Sequence, residues 1–423
     1  MRPHQLTRRR LFQIAAAIMG GYVLQGCTAS SLLPTTRTDG KKRAEEICQR
    51  GEGSQAQSSE EEKEKFDIDE TGLCLSGGGY RAMLFHVGSL WRLYESGLLA
   101  ECTRITSVSG GSITAAVLGL TWNKLNVTNP DVPRFVEHVV APIRGLAEET
   151  IDRPSVLKGL FLPGSVSGYL EDYYNKYLFR GATLQNLPDS PRFFILATNV
   201  QSGALFRFSK LYISDYRVGV IPDPMLPIAK AVAASASFPP VLSPTMLYFN
   251  EKDVHACKWS GEDLHRPPYT TEVELTDGGV YDNMGLEPLK RFKRILVSDG
   301  GGKTQAEEDP DNNWAGHAYR VLDLIDDQNR SRRKIQIIEE AKAKERTVAY
   351  WSTRTKLAEY NTSHQAMLPQ QLRDQLASVH TRLKETPKAI QEGLINWGYL
   401  ACDVNLRRFI DQNLPQPGSL PYS

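Results

Sequence analysis

Two glycine-rich turns, Ser76-Gly77-Gly78-Gly79-Tyr80-Arg81 and Ser107-Val108-Ser109-Gly110-Gly111, constrain the fold of this chain more than any other feature. Each stands between a short apolar run and a helical pattern. Thr71 to Leu75 reads as a strand. Between Arg81 and Ser96 the apolar Met83, Val87, Leu90 and Tyr94 recur at spacings of four, three and four, which puts them on one helix face. Arg104 to Ser107 reads as a second strand end, and Gly111 to Leu120 as a small-residue, apolar run suited to a buried helix. Two successive units of strand, turn and helix predict an α/β fold.

The glycines matter because only residues without a Cβ can turn the chain sharply after a strand and leave several backbone N–H groups pointing at one spot. The first turn ends at a helix N-terminus, so that spot favours negative charge, either a phosphate or the oxyanion of a tetrahedral intermediate. The chain has no G-x-x-x-x-G-K-[ST] and no G-x-G-x-x-G in register, and bulky Tyr80 and Arg81 follow the glycines, which weakens a nucleotide reading. Ser109 stands between strand and helix, the context a nucleophilic serine needs, although Ser107 occupies the first glycine position of the G-x-S-x-G pattern. Alone, Ser109 reads as a turn serine capping the helix that follows. The upstream loop tips the reading towards a nucleophile, with oxyanion donors from Gly77, Gly78, Gly79 and Gly110.

A base is needed beside such a serine. The segment Leu275-Thr276-Asp277-Gly278-Gly279-Val280-Tyr281-Asp282-Asn283 offers a carboxylate at a strand end, although Asp-Gly alone reads as a turn. An aspartate is a weak base in water, where its pKa is about 3.9, so the site is expected to be partly desolvated. Asp299-Gly300-Gly301-Gly302 ends another apolar strand, Arg294 to Ser298, and is a rival for the base. The chain order Ser109, Asp299, His317 also matches a Ser-Asp-His triad, with His317 in a poorly patterned stretch.

At these residues, from about Gly72 to Gly302, the chain resembles the patatin-like phospholipases, acyl hydrolases that share their loop and elbow with cytosolic group IV phospholipases. The resemblance implies a three-layer α/β/α hydrolase fold around a central, mostly parallel sheet. It also implies that Gly77, Gly78, Gly79 and Arg81 form the oxyanion loop, that Ser109 is the nucleophile, and that Asp277 is the base of a Ser-Asp dyad needing no histidine, metal or cofactor. In the family the base motif runs on into an Asn-x-Gly such as Asn283-Met284-Gly285, which favours Asp277 over Asp299. Ala197-Thr198-Asn199 and Ala233-Ala234-Ser235-Ala236-Ser237-Phe238-Pro239-Pro240 also look familial. The implied substrates are phospholipids, lysophospholipids or other acyl-ester lipids. The alternatives are a catalytically silent lipid-binding envelope protein with the same fold and a Ser-Asp-His esterase using His317.

The N-terminus suggests where the protein acts. Thr7-Arg8-Arg9-Arg10-Leu11-Phe12 is a basic region before a short apolar stretch from Leu11 to Leu24, too short for an ordinary membrane span. The arginine pair resembles a twin-arginine export signal, and Leu24-Gln25-Gly26-Cys27 resembles a bacterial lipobox with Cys27 as the lipidated residue. Residues 1–26 are therefore expected to be a signal peptide. The protein is expected in the cell envelope as an outer-membrane lipoprotein, with secretion or a periplasmic location as alternatives. Residues 27–66 are polar and poor in large apolar groups, which predicts a disordered tether.

The catalytic core is assigned to 67–302 and a mainly helical C-terminal region to 303–423, with helices over His317 to Lys344, Gln370 to Leu383 and Lys388 to Ile410. Trp351, Trp397 and Tyr399 in that region are either core or interfacial anchors. A net charge of +1 without basic or aromatic platforms gives nucleic-acid binding little support. With Cys27 lipidated, five cysteines remain, so at least one stays unpaired in the chain, and Cys74 reads as a small buried hydrophobe. His255, Cys257 and His265 lack a recognised metal-ligand spacing.

Overall fold

The computed structural model describes residues 40–50, 66–151, 166–239, 242–261, 263–302, 304, 306–310, 313–360, 367–417 and 419–422. The expected signal peptide, Cys27 and most of the expected tether lie outside them. Ten strands form one sheet: Ile68–Leu75 (β1), Cys102–Val108 (β2), Arg192–Asn199 (β3), Leu205–Phe208 (β4), Tyr212–Asp215 (β5), Gly219–Pro222 (β6), Thr245–Tyr248 (β7), Glu272–Asp277 (β8), Phe292–Asp299 (β9) and Thr347–Ser352 (β10). The central run β10-β9-β1-β2-β3 is parallel, and β4, β5 and β6 continue it antiparallel. The helices used below are Gly40–Arg50 (α1), Gly79–Glu95 (α2), Gly110–Leu125 (α3), Val166–Tyr174 (α4), Ile228–Ser235 (α5), Gly279–Asp282 (α6), Trp314–Lys342 (α7), Gln370–Ala377 (α8) and Lys388–Phe409 (α9).

Strand pleating explains the layers. Successive side chains of a strand leave opposite faces. Leu73 and Leu75 of β1 enter the main core with residues of α2, α3 and α9, while Cys74 between them enters a second core with Ile295, Val297 and α7's Ile337. In β3, Phe193 and Ile195 join the main core, and Phe194 and Leu196 join a third cluster. Helices therefore cover both faces of the sheet, as the sequence predicts. On the main-core face α9 crosses α2 at very short range. A Cβ on Gly88 would lie 1.8 Å from the Ile395 carbonyl oxygen, and one on Gly398 would lie 1.9 Å from that of Phe85, so neither position tolerates a side chain.

The C-terminal region adds detail to the sequence reading. The mainly helical C-terminal region also contributes one strand, Thr347–Ser352, which adds β10 to the sheet edge beside β9. Trp351 and Trp397 are fully buried and Tyr399 is 2% exposed, so of the two readings offered for these aromatics the structure shows core. Their polar atoms are satisfied inside: Trp351 Nε1 donates to Ser89 Oγ at 2.9 Å and Trp397 Nε1 to the Thr353 carbonyl at 2.9 Å.

The expected tether also contains structure, since α1 is docked on the antiparallel end of the sheet. Its Ala44 and Ile47 are 2% and 3% exposed, Trp259 Nε1 donates to the Cys48 carbonyl at 2.9 Å, and Cys48 is disulfide-bonded to Cys257. An eleven-residue helix is marginal alone, so tertiary contacts must hold it. Its partner cysteine lies 209 positions away, beyond the reach of any local pattern. Among the described residues the free cysteines are Cys74, Cys102 and Cys402, all buried.

Candidate active site

The register of β3 brings the two predicted chemical residues together. Val108, the last residue of β2, pairs with Leu196, and the next position of β3, Ala197, pairs with Asp277, the last residue of β8. Where β2 leaves the sheet at Ser109, β8 arrives from the opposite direction and takes its place. Ser109 and Asp277 thus meet at the C-terminal end of the parallel strands, where open α/β sheets bind ligands.

Ser109 adopts φ 51° and ψ −122°, a conformation that costs a non-glycine residue about 1–3 kcal/mol. A ring of serines holds it there. The Ser109 N–H donates to Ser235 Oγ at 2.9 Å; Ser235 Oγ also lies 2.9 Å from Ser112 Oγ, which donates to Ser107 Oγ at 3.1 Å, and Ser107 Oγ donates to the Phe194 carbonyl at 3.2 Å. The hydroxyl of Ser107 is thus part of the brace beneath the turn, which accounts for serine where the usual pattern has glycine.

Two helix N-termini converge on this turn. Gly78 caps α2 and Ser109 caps α3, both without a side-chain capping bond. The N–H groups of Gly78, Gly79 and Gly110 make no hydrogen bond among the described residues. A Cβ on Gly110 would lie 2.1 Å from the Gly79 carbonyl oxygen, so the two ends touch. Unpaired donors at paired positive helix ends suit a developing oxyanion. Gly77 is used differently from its expected role as a donor: its N–H is engaged by the Asn283 carbonyl at 3.0 Å and by Asn283 Oδ1 at 3.1 Å. Arg81 also turns from the site. Its buried guanidinium donates to the Gly300 carbonyl at 3.0 Å, to Thr381 Oγ1 at 2.9 Å and to the Val379 carbonyl, tying the loop to the C-terminal region.

Asp277 is 2% exposed. Its Oδ1 accepts the Gly279 N–H at 2.7 Å, while Oδ2 is buried without a hydrogen-bond partner. Burial pushes the carboxyl up to about 7, against the downward pull of the Gly279 N–H and the nearby Ser109 hydroxyl, and the charge of Asp326 adds to the rise. The Ala233 to Pro240 segment noted in the sequence holds the backbone of this aspartate, since the Asp277 N–H donates to the Ser237 carbonyl at 3.0 Å.

The rival aspartate is fully engaged. Asp299 Oδ1 accepts from Ser76 Oγ at 3.3 Å, the Gly301 N–H at 2.9 Å and Arg330 at 3.4 Å, and its Oδ2 accepts from Tyr350 Oη at 2.7 Å. Arg330 and these donors hold its carboxyl below the usual range despite burial. His317 is exposed on the first turn of α7 and is not among the partners of Asp299. His86, fully buried, lies 2.9 Å by Nε2 from the Ser76 carbonyl and 2.8 Å by Nδ1 from Ser298 Oγ; burial lowers its pKa to about 4, so it is a neutral brace under the loop. Cys257 is bonded to Cys48, which removes it from any grouping with His255 and His265.

Sequence reasoning missed Ser112 and Asp326. Ser112 looked like any helix residue, and Asp326 lies on a separate helix 49 positions from the base.

Several solved structures and one family model are similar to this chain. Human GIVD cytosolic phospholipase A2 is similar in structure with a TM-score of 0.48 at 13% identity, over 90% of this chain and 64% of that one. The same human enzyme in complex with methyl gamma-linolenyl fluorophosphonate gives 0.43 at 15% identity, over 89% and 63%. VipD from Legionella pneumophila gives 0.34 at 14%, over 81% and 67%. The chain therefore spans less than two thirds of the human enzyme. No curated protein matches the chain by sequence. The family model for patatin-like phospholipase matches residues 73–290, more than half of the 423 residues, including Gly77 to Arg81, Ser109, Ser235 and Asp277. The chain belongs to the patatin-like phospholipase family.

Proposed function

We propose that the protein is a serine acyl hydrolase that cleaves acyl esters of phospholipids or lysophospholipids through a Ser109–Asp277 dyad. The observation that carries this reading is the asymmetry of Asp277. One carboxylate oxygen is anchored by Gly279, and the other is buried and unpartnered beside a strained serine. A carboxylate raised to about 7 is a far better base at neutral pH than a free aspartate. In the proposed reaction Asp277 Oδ2 takes the Ser109 Oγ proton as Oγ attacks the ester carbonyl. The oxyanion is met by the N–H groups of Gly78, Gly79 and Gly110. Collapse returns the proton to the departing alcohol and leaves an acyl-serine, which water hydrolyses with Asp277 again as base. Each oxyanion donor contributes on the order of a hundredfold or more in rate.

The location we propose is the cell envelope, with export through the N-terminal segment and lipid anchoring at Cys27. The Cys48–Cys257 disulfide supports export, because disulfides persist in oxidising compartments. Among the described residues no helix is long and apolar enough to cross a membrane.

A fluorophosphonate probe tests the enzyme reading. The folded wild type is expected to be labelled at Ser109 and Ser109→Ala to remain unlabelled. Absence of labelling on folded wild type would leave the silent lipid-binding protein as the better account.

A further inference from the structure

The oxyanion loop is held by Asn283, which in turn is held by a residue outside the family-matched region. Asn283 sits where three parts of the site meet. Its Oδ1 accepts the Gly77 N–H at 3.1 Å. A Cβ on Gly77 would lie 2.1 Å from that oxygen and 3.2 Å from Ser109 Cβ, so Gly77 is wedged between the Asn283 amide and the nucleophile. A Cβ on Gly279, the residue that anchors Asp277, would lie 2.9 Å from the same oxygen. Asn283 thus touches the oxyanion turn and the base turn at once.

A carboxamide has two ends of opposite character, and a rotation by half a turn would set its NH2 against the Gly77 N–H, donor against donor. What selects the working orientation is Asp326 on α7: Asn283 Nδ2 donates to both of its carboxylate oxygens, at 2.8 and 2.9 Å. We infer that Asp326 is a positioning residue for the proposed hydrolysis, acting through Asn283 to fix the Gly77–Gly79 loop over Ser109.

The charges around this carboxylate come from three elements. Arg330, one turn further along α7, lies 3.4 Å from Asp326 Oδ2 and is its counter-ion; burial above all, and then Asp299 at the end of β9 and Asp323 on α7, oppose its ionisation, so its carboxyl is raised to about 6. At the end of β8, Asp277 feels Asp326 as a like charge, and the phenol of Tyr174 on α4 feels Asp277. Asp326 therefore acts on the site in two separable ways. Its shape orients Asn283, and its charge helps raise the base.

This inference rests on the dyad reading, so its experiment is done with wild-type turnover as the reference. If wild type does not turn over ester, the dyad reading has failed. If it does, Asp326→Asn is compared with it by kcat, KM and the pH dependence of kcat/KM. The amide of Asp326→Asn can accept only one bond well from Asn283 and carries no charge. The expected result is a kcat about tenfold to a hundredfold lower, KM within twofold, and the acid limb of kcat/KM moved to lower pH. Asp326→Glu keeps the charge and displaces the grip, so kcat is expected to fall with the limb unmoved; this second variant also decides the matter should Asp326→Asn fail to fold. The inference is overturned if both variants keep wild-type kcat and wild-type limb, or if the effect falls on KM alone.

Discussion

Asp277 and Asp299 end successive strands of the chain, β8 and β9 of one sheet, in the same Asp-Gly-Gly signature, yet the protein treats them oppositely. Asp299 meets an arginine, a tyrosine, a serine and a backbone N–H, and its carboxyl is held below the ordinary range. Asp277 has one backbone N–H and a bare oxygen, and its carboxyl is pushed up to about 7. The difference lies in what each strand end faces. Beyond β9 stand α7 and β10, which supply Arg330 and Tyr350, whereas β8 ends against the elbow of Ser109. Spare basicity is kept at one aspartate and quenched at the other.

Exchanging each for asparagine breaks the comparison most strongly in activity. Asp277→Asn is expected to lower kcat/KM by up to about 10⁴-fold, and Asp299→Asn less than tenfold when assayed well below its melting temperature. Equal losses would mean that the two aspartates do not differ in role. Stability should separate them in the opposite sense. Because the folded protein holds the Asp277 proton where the unfolded chain has lost it, ionising this group costs stability as pH rises from about 4 to 7. Asp277→Asn should therefore be more stable than wild type at pH 8, by at most about 4 kcal/mol, and should gain nothing at pH 4. The depressed Asp299 contributes stability above the ordinary carboxylate range and loses it as pH falls. Asp299→Asn should cost about 1–3 kcal/mol at pH 8 by removing a buried, charge-assisted hydrogen-bonding partner of Arg330 and Tyr350, Arg330 keeping Asp326 and Asp327, and less in acid. Chemical denaturation at both pH values reads these differences. The smallest effect expected is that of His317→Ala, whose turnover should match wild type; a large loss would transfer the base role towards a histidine triad.

How much of this was legible in the sequence follows from how local each signal is. The turns at Gly77 and Ser109 are written in consecutive residues, and so are the strands and helices beside them. The choice of Asp277 over Asp299 comes from the resemblance, through Asn283-Met284-Gly285, but its physical reason was not legible, since Arg330 and Tyr350 are brought to Asp299 only by the fold. Ser107 looked like a departure from the elbow pattern and is a hydrogen-bonding member of it. Helix α1 was hidden for a related reason: Ala44, Ile47 and Cys48 make a stripe of one turn, too short to register in a polar stretch, and its staple to Cys257 is long-range. Strand β10 follows a long charged helix and reads as an extension of the helical region until Val348, Ala349 and Trp351 are seen against the sheet.

The most direct test of the Ser109–Asp277 account is the acid limb of kcat/KM for wild type, which reports the base in the free enzyme. The account predicts activity that rises with pH through an apparent pKa of about 7, the value to which burial pushes Asp277. A limb near 4, where an ordinary aspartate titrates, would contradict it.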